Sequence, residues 1–140
     1  MKLTKNFKEE EFITSKWYKK EKVEDKVVED YQANQEAQAN IKILAENLQV
    51  LRDYLNTPIS INIAYRPLWW EEMNGRSGTS QHCLGKAADI RVKGLTPEVV
   101  AHTIKKLIDQ GKMHNGGLGI YPKANFVHYD TRPTPARWKK

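Results

Sequence analysis

Ile41, Leu44, Leu48, Leu51 and Leu55 recur at steps of three and four residues, which draws one apolar stripe along a helix. Helical spacing dominates from about Val23 to Leu55, and Asn56-Thr57-Pro58 ends it, because proline cannot continue a helix and restrains the residue before it. The period then changes. Ile59-Ser60-Ile61-Asn62-Ile63 alternates apolar and polar positions and reads as a strand that Arg66-Pro67 closes. A short helix over Leu68 to Met73, a loop over residues 74–79 and a second strand over Ala87 to Val92 follow. Thr96-Pro97-Glu98 opens a helix, with threonine as N-cap and proline in the first turn, and Gly111 is its stop. Gly117 to Tyr121 and Asn125 to Thr131 form a last hairpin around Pro122-Lys123-Ala124. Upstream, a short helix around Lys8 to Phe12 leads into a charged, loosely structured stretch, so residues 1–22 read as peripheral. The order predicts one α+β domain over residues 1–140, with a small, mainly antiparallel sheet and helices packed on one side. The helical stripe covers too few heptads to favour a dimer-forming coil, and the chain is expected to be a monomer.

Composition narrows the setting. A chain of 140 residues, 39% hydrophobic and 29% charged, can bury a core and shows no bias toward disorder. The longest apolar runs, such as Ile59 to Ala64, are too short to cross a bilayer, and the N-terminus has a basic start without the apolar run of a secretory signal. No membrane insertion is expected. The lone Cys83 excludes a disulfide framework and a four-cysteine zinc knot. A net charge of +6 favours an anionic partner. Because the lysines are scattered among acids and no nucleic-acid-binding motif is present, nucleic acid is not the expected one.

The chemistry lies in Ser80-Gln81-His82-Cys83-Leu84-Gly85-Lys86-Ala87-Ala88-Asp89 and, much later, Phe126-Val127-His128-Tyr129-Asp130. Two imidazoles and a carboxylate make up the ligand inventory of a catalytic zinc site, which leaves a fourth position for water and so implies a hydrolase. The chain must bend between His82 and Asp89, and Gly85 permits it, which would set Asp89 on the sheet face beneath His82. Asp89 interrupts an apolar strand, so something positive must pair with it: a metal, Arg66 or Arg91. On the last strand the period of two turns His128 and Asp130 to one face. Cys83 reads as a small buried hydrophobe, His102 as a helix-surface residue, and His114 is not counted with the site.

These motifs resemble the M15-type zinc peptidases related to D-alanyl-D-alanine carboxypeptidases, a group that also includes the hedgehog signalling domain and certain cell-wall endopeptidases. Ser-x-His-x-x-Gly-x-Ala-x-Asp over Ser80 to Asp89 carries the resemblance, with Ala64-Tyr65-Arg66 upstream and Gly116 to Pro122 and Phe126 to Arg132 downstream. The later segments, with Phe7 to Phe12 and Leu48 to Arg52, are similar to a phage-associated branch. The resemblance implies a hedgehog-like or D,D-peptidase-like fold, and His82, Asp89 and His128 as ligands of Zn2+. It also implies that Arg66 holds the substrate's carbonyl or carboxylate, with Tyr65 and Ser80 of the matching segments beside it. Trp69 and Trp70, two adjacent tryptophans after Arg66 that cannot share one core face, are further candidates for the substrate wall, against packing in the core or a lid. Peptidoglycan stem peptides would be the substrate, cut by a D,D-carboxypeptidase or endopeptidase at the bacterial cell wall, as in a phage or prophage lysis enzyme.

One departure bears on mechanism. Well-known members carry Glu or Asp three residues before the last histidine ligand, where this chain has Asn125, which cannot act as a base. Asp130 is the nearest substitute, as general base or as a partner that orients a ligand; a third arrangement makes Asp130 the ligand and gives His128 the catalytic role. Two further readings compete with the enzyme. One is a zinc-binding wall-binding or virion-structural module that has lost its base. The other is an Fe(II) oxygenase built on His128-x-Asp130, opposed by the lack of any histidine after Asp130.

Overall fold

The computed structural model describes residues 1–19 and 23–140. Its five helices are α1 (Glu10–Ile13), α2 (Val23–Gln32), α3 (Gln35–Leu55), α4 (Leu68–Met73) and α5 (Pro97–Asp109). Its strands are β1 (Ile59–Ile63), β2 (Ala87–Val92), β3 (Gly117–Tyr121), β4 (Phe126–Asp130) and β5 (Ala136–Lys139). They form one sheet in the order β1-β2-β4-β3-β5, antiparallel except for the edge strand β5, which runs parallel to β3. The fold is α+β, as expected.

The helical stretch from Val23 to Leu55 divides at Ala33-Asn34. The Asn34 side chain accepts the Ala37 N–H at 3.0 Å and caps α3, while the Gln38 amide donates to the Tyr31 and Gln32 carbonyls at the end of α2. A short polar side chain that can cap is the local reason for two helices instead of one. Along α3, Ala37, Ile41, Leu44, Ala45, Leu48 and Leu51 are buried. They meet the inward faces of the sheet, where Ala88, Ile90, Val127, Tyr129 and Leu118 are buried in the same core, while α5 packs on β3 and β4.

The N-terminal segment is not peripheral. Leu3, Phe7, Phe12, Ile13 and Tyr18 belong to the core, and Phe7 and Phe12 rings meet at 5.9 Å. The Phe12 carbonyl accepts the Tyr65 N–H at 2.8 Å, and the Tyr18 hydroxyl donates to the Tyr65 carbonyl at 2.7 Å. The segment therefore clamps the chain just past β1, next to Arg66. Its charged residues hid a helical face too short to show a period. The remainder of that stretch, residues 20–22, lies outside the described residues.

Strand β5 was not anticipated, because Ala136-Arg137-Trp138-Lys139 offers only four residues, two of them exposed and charged. If the N-terminal segment is core, Phe12→Ala should lose about 3–5 kcal/mol of unfolding free energy in urea, against about 0.5 kcal/mol or less for a peripheral residue.

Candidate active site

Ser80 begins the site by ending a loop. Its side chain accepts the His82 N–H at 3.1 Å and caps a 3-10 turn over Gln81–Leu84, and Gly85, at a φ of 75°, redirects the chain into β2. That turn buries His82, 2% exposed, and its Nδ1–H donates to the Ala64 carbonyl at 2.8 Å. A carbonyl can only accept, so this bond assigns the tautomer and leaves the Nε2 lone pair facing Asp89 Oδ1, 3.3 Å away. The bend sets Asp89 beneath His82 in the way the spacing implied.

The sheet register supplies the third donor. Asp89 on β2 pairs with His128 on β4, and His128 Nδ1 lies 3.2 Å from Asp89 Oδ1. His82, Asp89 and His128 thus present three ligand atoms, all within 4.8 Å of one another. Burial pushes His82 down, and this outweighs the hydrogen bond and charge of Asp89, so the ring is held neutral. Burial also opposes charge on His128, yet hydrogen bonds to Asp130 and Asp89 hold its pKa above the ordinary histidine value. For Asp89, burial is outweighed by the two imidazoles, which keep the carboxyl well below the usual range. A neutral imidazole, a carboxylate and a second imidazole aimed at one point form a nitrogen–oxygen donor set that fits a borderline divalent metal.

Asp130 stands behind His128. Its Oδ2 accepts the other ring nitrogen, Nε2, at 2.6 Å, and the Arg132 side chain at 2.7 and 3.1 Å. Oδ1 accepts the N–H groups of Gly117 and Arg132 and the Arg132 Nε at 2.9–3.0 Å. The residue is fully buried and does not line the cleft. Asn125, by contrast, is exposed in the β3–β4 turn at a φ of 59°, a left-handed position that asparagine tolerates.

Around the three donors lies a cleft of about 380 Å³. Arg66, Thr79, Ser80 and Gln81 line it from the β1–β2 connection, and Arg66 Nη2 donates to Ser80 Oγ at 3.2 Å. Tyr121, Phe126, Arg132 and Trp138 line it from the β3–β5 half. Tyr121 and Phe126 stack across the hairpin at 4.3 Å, and Trp138 lies 5.0 Å from the His128 ring with its indole N–H on the Tyr121 hydroxyl at 2.9 Å. A larger groove of about 570 Å³ between α5 and β5 contains none of the three clustered donors.

A family model described as Peptidase M15 matches residues 5–130. The chain belongs to the Peptidase M15 family. Its members are metallopeptidases, which accords with the donor set. The chain is also similar to the probable peptidoglycan L,D-endopeptidase MepK of Haemophilus influenzae, 33% identical over 98 residues, covering 66% of this chain and 49% of that protein. With the peptidoglycan L,D-endopeptidase MepK of Escherichia coli it shares 32% identity over 111 residues, 74% of this chain and 57% of the relative. The M15 chain thus spans about half the length of the relatives it matches.

Three residues expected around the substrate lie elsewhere in this M15 domain. Tyr65 is 1% exposed and its hydroxyl donates to Asp30; the Trp69 indole donates to Asp30 at 3.2 Å; Trp70 packs edge-on against Tyr18 at 5.4 Å. Helix α4, with the bounds expected from the sequence, packs both tryptophans against the core. Cys83 is half-buried, its thiol pushed up to about 11 mainly by burial, and stands outside the donor cluster. His114 is exposed and bonds the Arg132 carbonyl at 2.7 Å, and His102 is exposed on α5. Sequence reasoning missed Arg132 and Trp138; the former follows Asp130 at a spacing of two, which was a usable signal, while the latter depends on the unanticipated β5.

Asp130→Asn should weaken divalent metal affinity about 10- to 100-fold, measured by chelator competition, because the supporting carboxylate of His128 is neutralised. Binding in the wild type should release a proton wherever the raised His128 pKa leaves its ring charged, because a ligating imidazole nitrogen must give up its proton. Affinity should therefore strengthen as pH rises toward the raised His128 value and level off above it, which calorimetry in buffers of different ionisation enthalpy will read.

Proposed function

We propose that the chain is a zinc-dependent peptidase that hydrolyses peptide bonds in the stem peptides of bacterial peptidoglycan, and that it acts as an endopeptidase. The observation that carries this reading is the convergence of His82 Nε2, Asp89 Oδ1 and His128 Nδ1 at the floor of an open cleft beside Arg66. The names of the similar proteins favour peptidoglycan and an endopeptidase over a D,D-carboxypeptidase. A net charge of +6 suits an anionic wall. Bound there, zinc would supply Lewis-acid polarisation of the scissile carbonyl and activation of water.

The protein's own groups have separable tasks. The Ala64 carbonyl and Asp130 hold the two imidazoles in the tautomers that turn a lone pair toward the metal position. Asp130 thus acts through His128, in the second of the roles open to it, since its oxygens are taken by Gly117, Arg132 and His128. Arg66, propped by Ser80, offers guanidinium N–H groups to a carbonyl or carboxylate of the peptide. Tyr121, Phe126 and Trp138 give the opposite side an apolar surface for the substrate's aliphatic parts. The site of action would be the cell wall, and a phage or prophage lysis role fits a basic wall hydrolase.

A second reading has one observation behind it. Asn125 is an exposed turn residue, and Asp89 is the one carboxylate that lines the cleft among the described residues. A zinc-holding wall-binding or virion-structural module without a base would look like this.

Purified peptidoglycan separates the two. The zinc-loaded wild type should release new amino termini, His82→Ala should lose about a hundredfold or more, and mass spectrometry should find cross-link fragments instead of single amino acids. Release no faster than that of His82→Ala would sink the enzyme and leave the module.

A further inference from the structure

Arg66 and Arg132 are the cationic side chains that line the cleft among the described residues. They are held differently. Arg132 spends its guanidinium on Asp130, at 2.7, 2.9 and 3.1 Å. Arg66 makes one side-chain hydrogen bond, from Nη2 to Ser80 Oγ, and its Nε is buried without any. What lies beside that Nε is Glu71 Oε1, at 3.5 Å.

Glu71 is 1% exposed and does not line the cleft. Its other oxygen accepts Arg76 Nη1 at 2.9 Å. Arg76 closes over it from the loop that follows α4: its backbone N–H donates to the Glu71 carbonyl at 2.9 Å, and its guanidinium lies over the Trp70 ring at 5.3 Å. A carboxylate thus sits out of water between two guanidinium groups, one belonging to the cleft and one to the outer loop. An apolar residue would fill that place at lower cost, because the desolvation of a buried ion pair commonly cancels its attraction. The arrangement makes sense as a device acting on Arg66.

We propose that Glu71 is the positioning residue for Arg66. Its carboxylate draws the Nε edge of the guanidinium inward, so that the Nη edge, anchored at Ser80, is turned to the cleft. Arg76 shares the negative charge. Two cations around one anion leave a net positive charge, so Arg66 is aimed without being neutralised. The consequence is selectivity for a substrate that carries a carboxylate next to the scissile bond, such as the free α-carboxylate of a stem-peptide residue, over the same peptide with that group amidated. This selectivity rests on the reading of Arg66 as a substrate-binding group; the positioning of Arg66 does not.

The test has one arm that needs no turnover. In the zinc-loaded wild type the Arg66 Nε–H should give a slowly exchanging proton resonance, and in Glu71→Gln it should shift and exchange about tenfold faster or more. Glu71→Asp, which retracts the charge by one methylene, should fall between them and carries the comparison if Glu71→Gln does not fold. The second arm compares a stem peptide bearing a free α-carboxylate with its amide. Glu71→Gln should raise KM for the acid about tenfold with kcat within about twofold, leave KM for the amide unchanged, and leave zinc content intact. An Arg66 resonance unaltered in the variants, or a fall in kcat with KM preserved, overturns the proposal. A wild type that cleaves neither peptide removes the peptidase reading instead, and the resonance then decides the positioning of Arg66.

Discussion

Two nitrogen lone pairs and a carboxylate oxygen brought to within hydrogen-bond distance inside a protein repel unless a cation lies among them, and the rest of this molecule is arranged to keep them there. Hydrogen bonds to Asp130 and Asp89 favour the charged form of His128 in that role. His128 Nδ1 lies 3.2 Å from Asp89 Oδ1, and these bonds outweigh burial and hold His128 above its ordinary pKa, while burial pushes its neighbour His82 below. The same contacts prepare the site for a divalent ion. Asp89 stays ionised because both imidazoles outweigh the cost of its burial, and each imidazole is kept in one tautomer by an acceptor at its far nitrogen. The cost of ordering the donors is met by folding before any metal arrives.

Sheet register transmits this constraint. Asp89, His128, Gly119 and Trp138 occupy one row across β2, β4, β3 and β5, and Ala87, Asp130, Gly117 and Ala136 occupy the next. The glycines on β3 are required by space. A Cβ at Gly117 would stand 2.1 Å from Asp130 Oδ2, and one at Gly119 would stand 2.3 Å from the Trp138 ring. With glycine at these two positions, Asp130 can reach behind His128 and Trp138 can cover it from the edge strand. The place of the Asp130 carboxylate behind His128 and that of Trp138 over it therefore both depend on one pair of missing side chains.

The other half of the cleft depends on the N-terminal segment and α4. Phe12 and Tyr18 hold the backbone of Tyr65, and the turn containing His82 accepts the Arg66 N–H at 3.2 Å. Arg66 is thus attached to the same frame as His82, while Trp69 and Trp70 pack that frame against Asp30 and Tyr18. Tyr65, Trp69 and Trp70, neighbours of Arg66 in the chain, thus pack in the frame that carries it and do not line the cleft.

Local pattern sufficed for the strands β1 to β4, the stripe of α3 and the N-cap of α5, and it marked His82, Asp89 and His128 as candidate donors, because periodicity and ligand chemistry act over a few residues at a time. It was blind wherever the partner lay far along the chain. Asn125 read as a missing acid, yet its backbone occupies a left-handed turn position. Asp130 was two places from a ligand and open to three roles; only the crossing of β3, which brings the Gly117 N–H to it, and the return of Arg132 saturate its oxygens. The amino-acid sequence by itself determined which side chains can ligate, which faces are apolar and which family the chain resembles. Tertiary structure decided which atoms of those side chains face one another, because tautomer, burial and ion pairing are set by groups from other strands and not by chain neighbours.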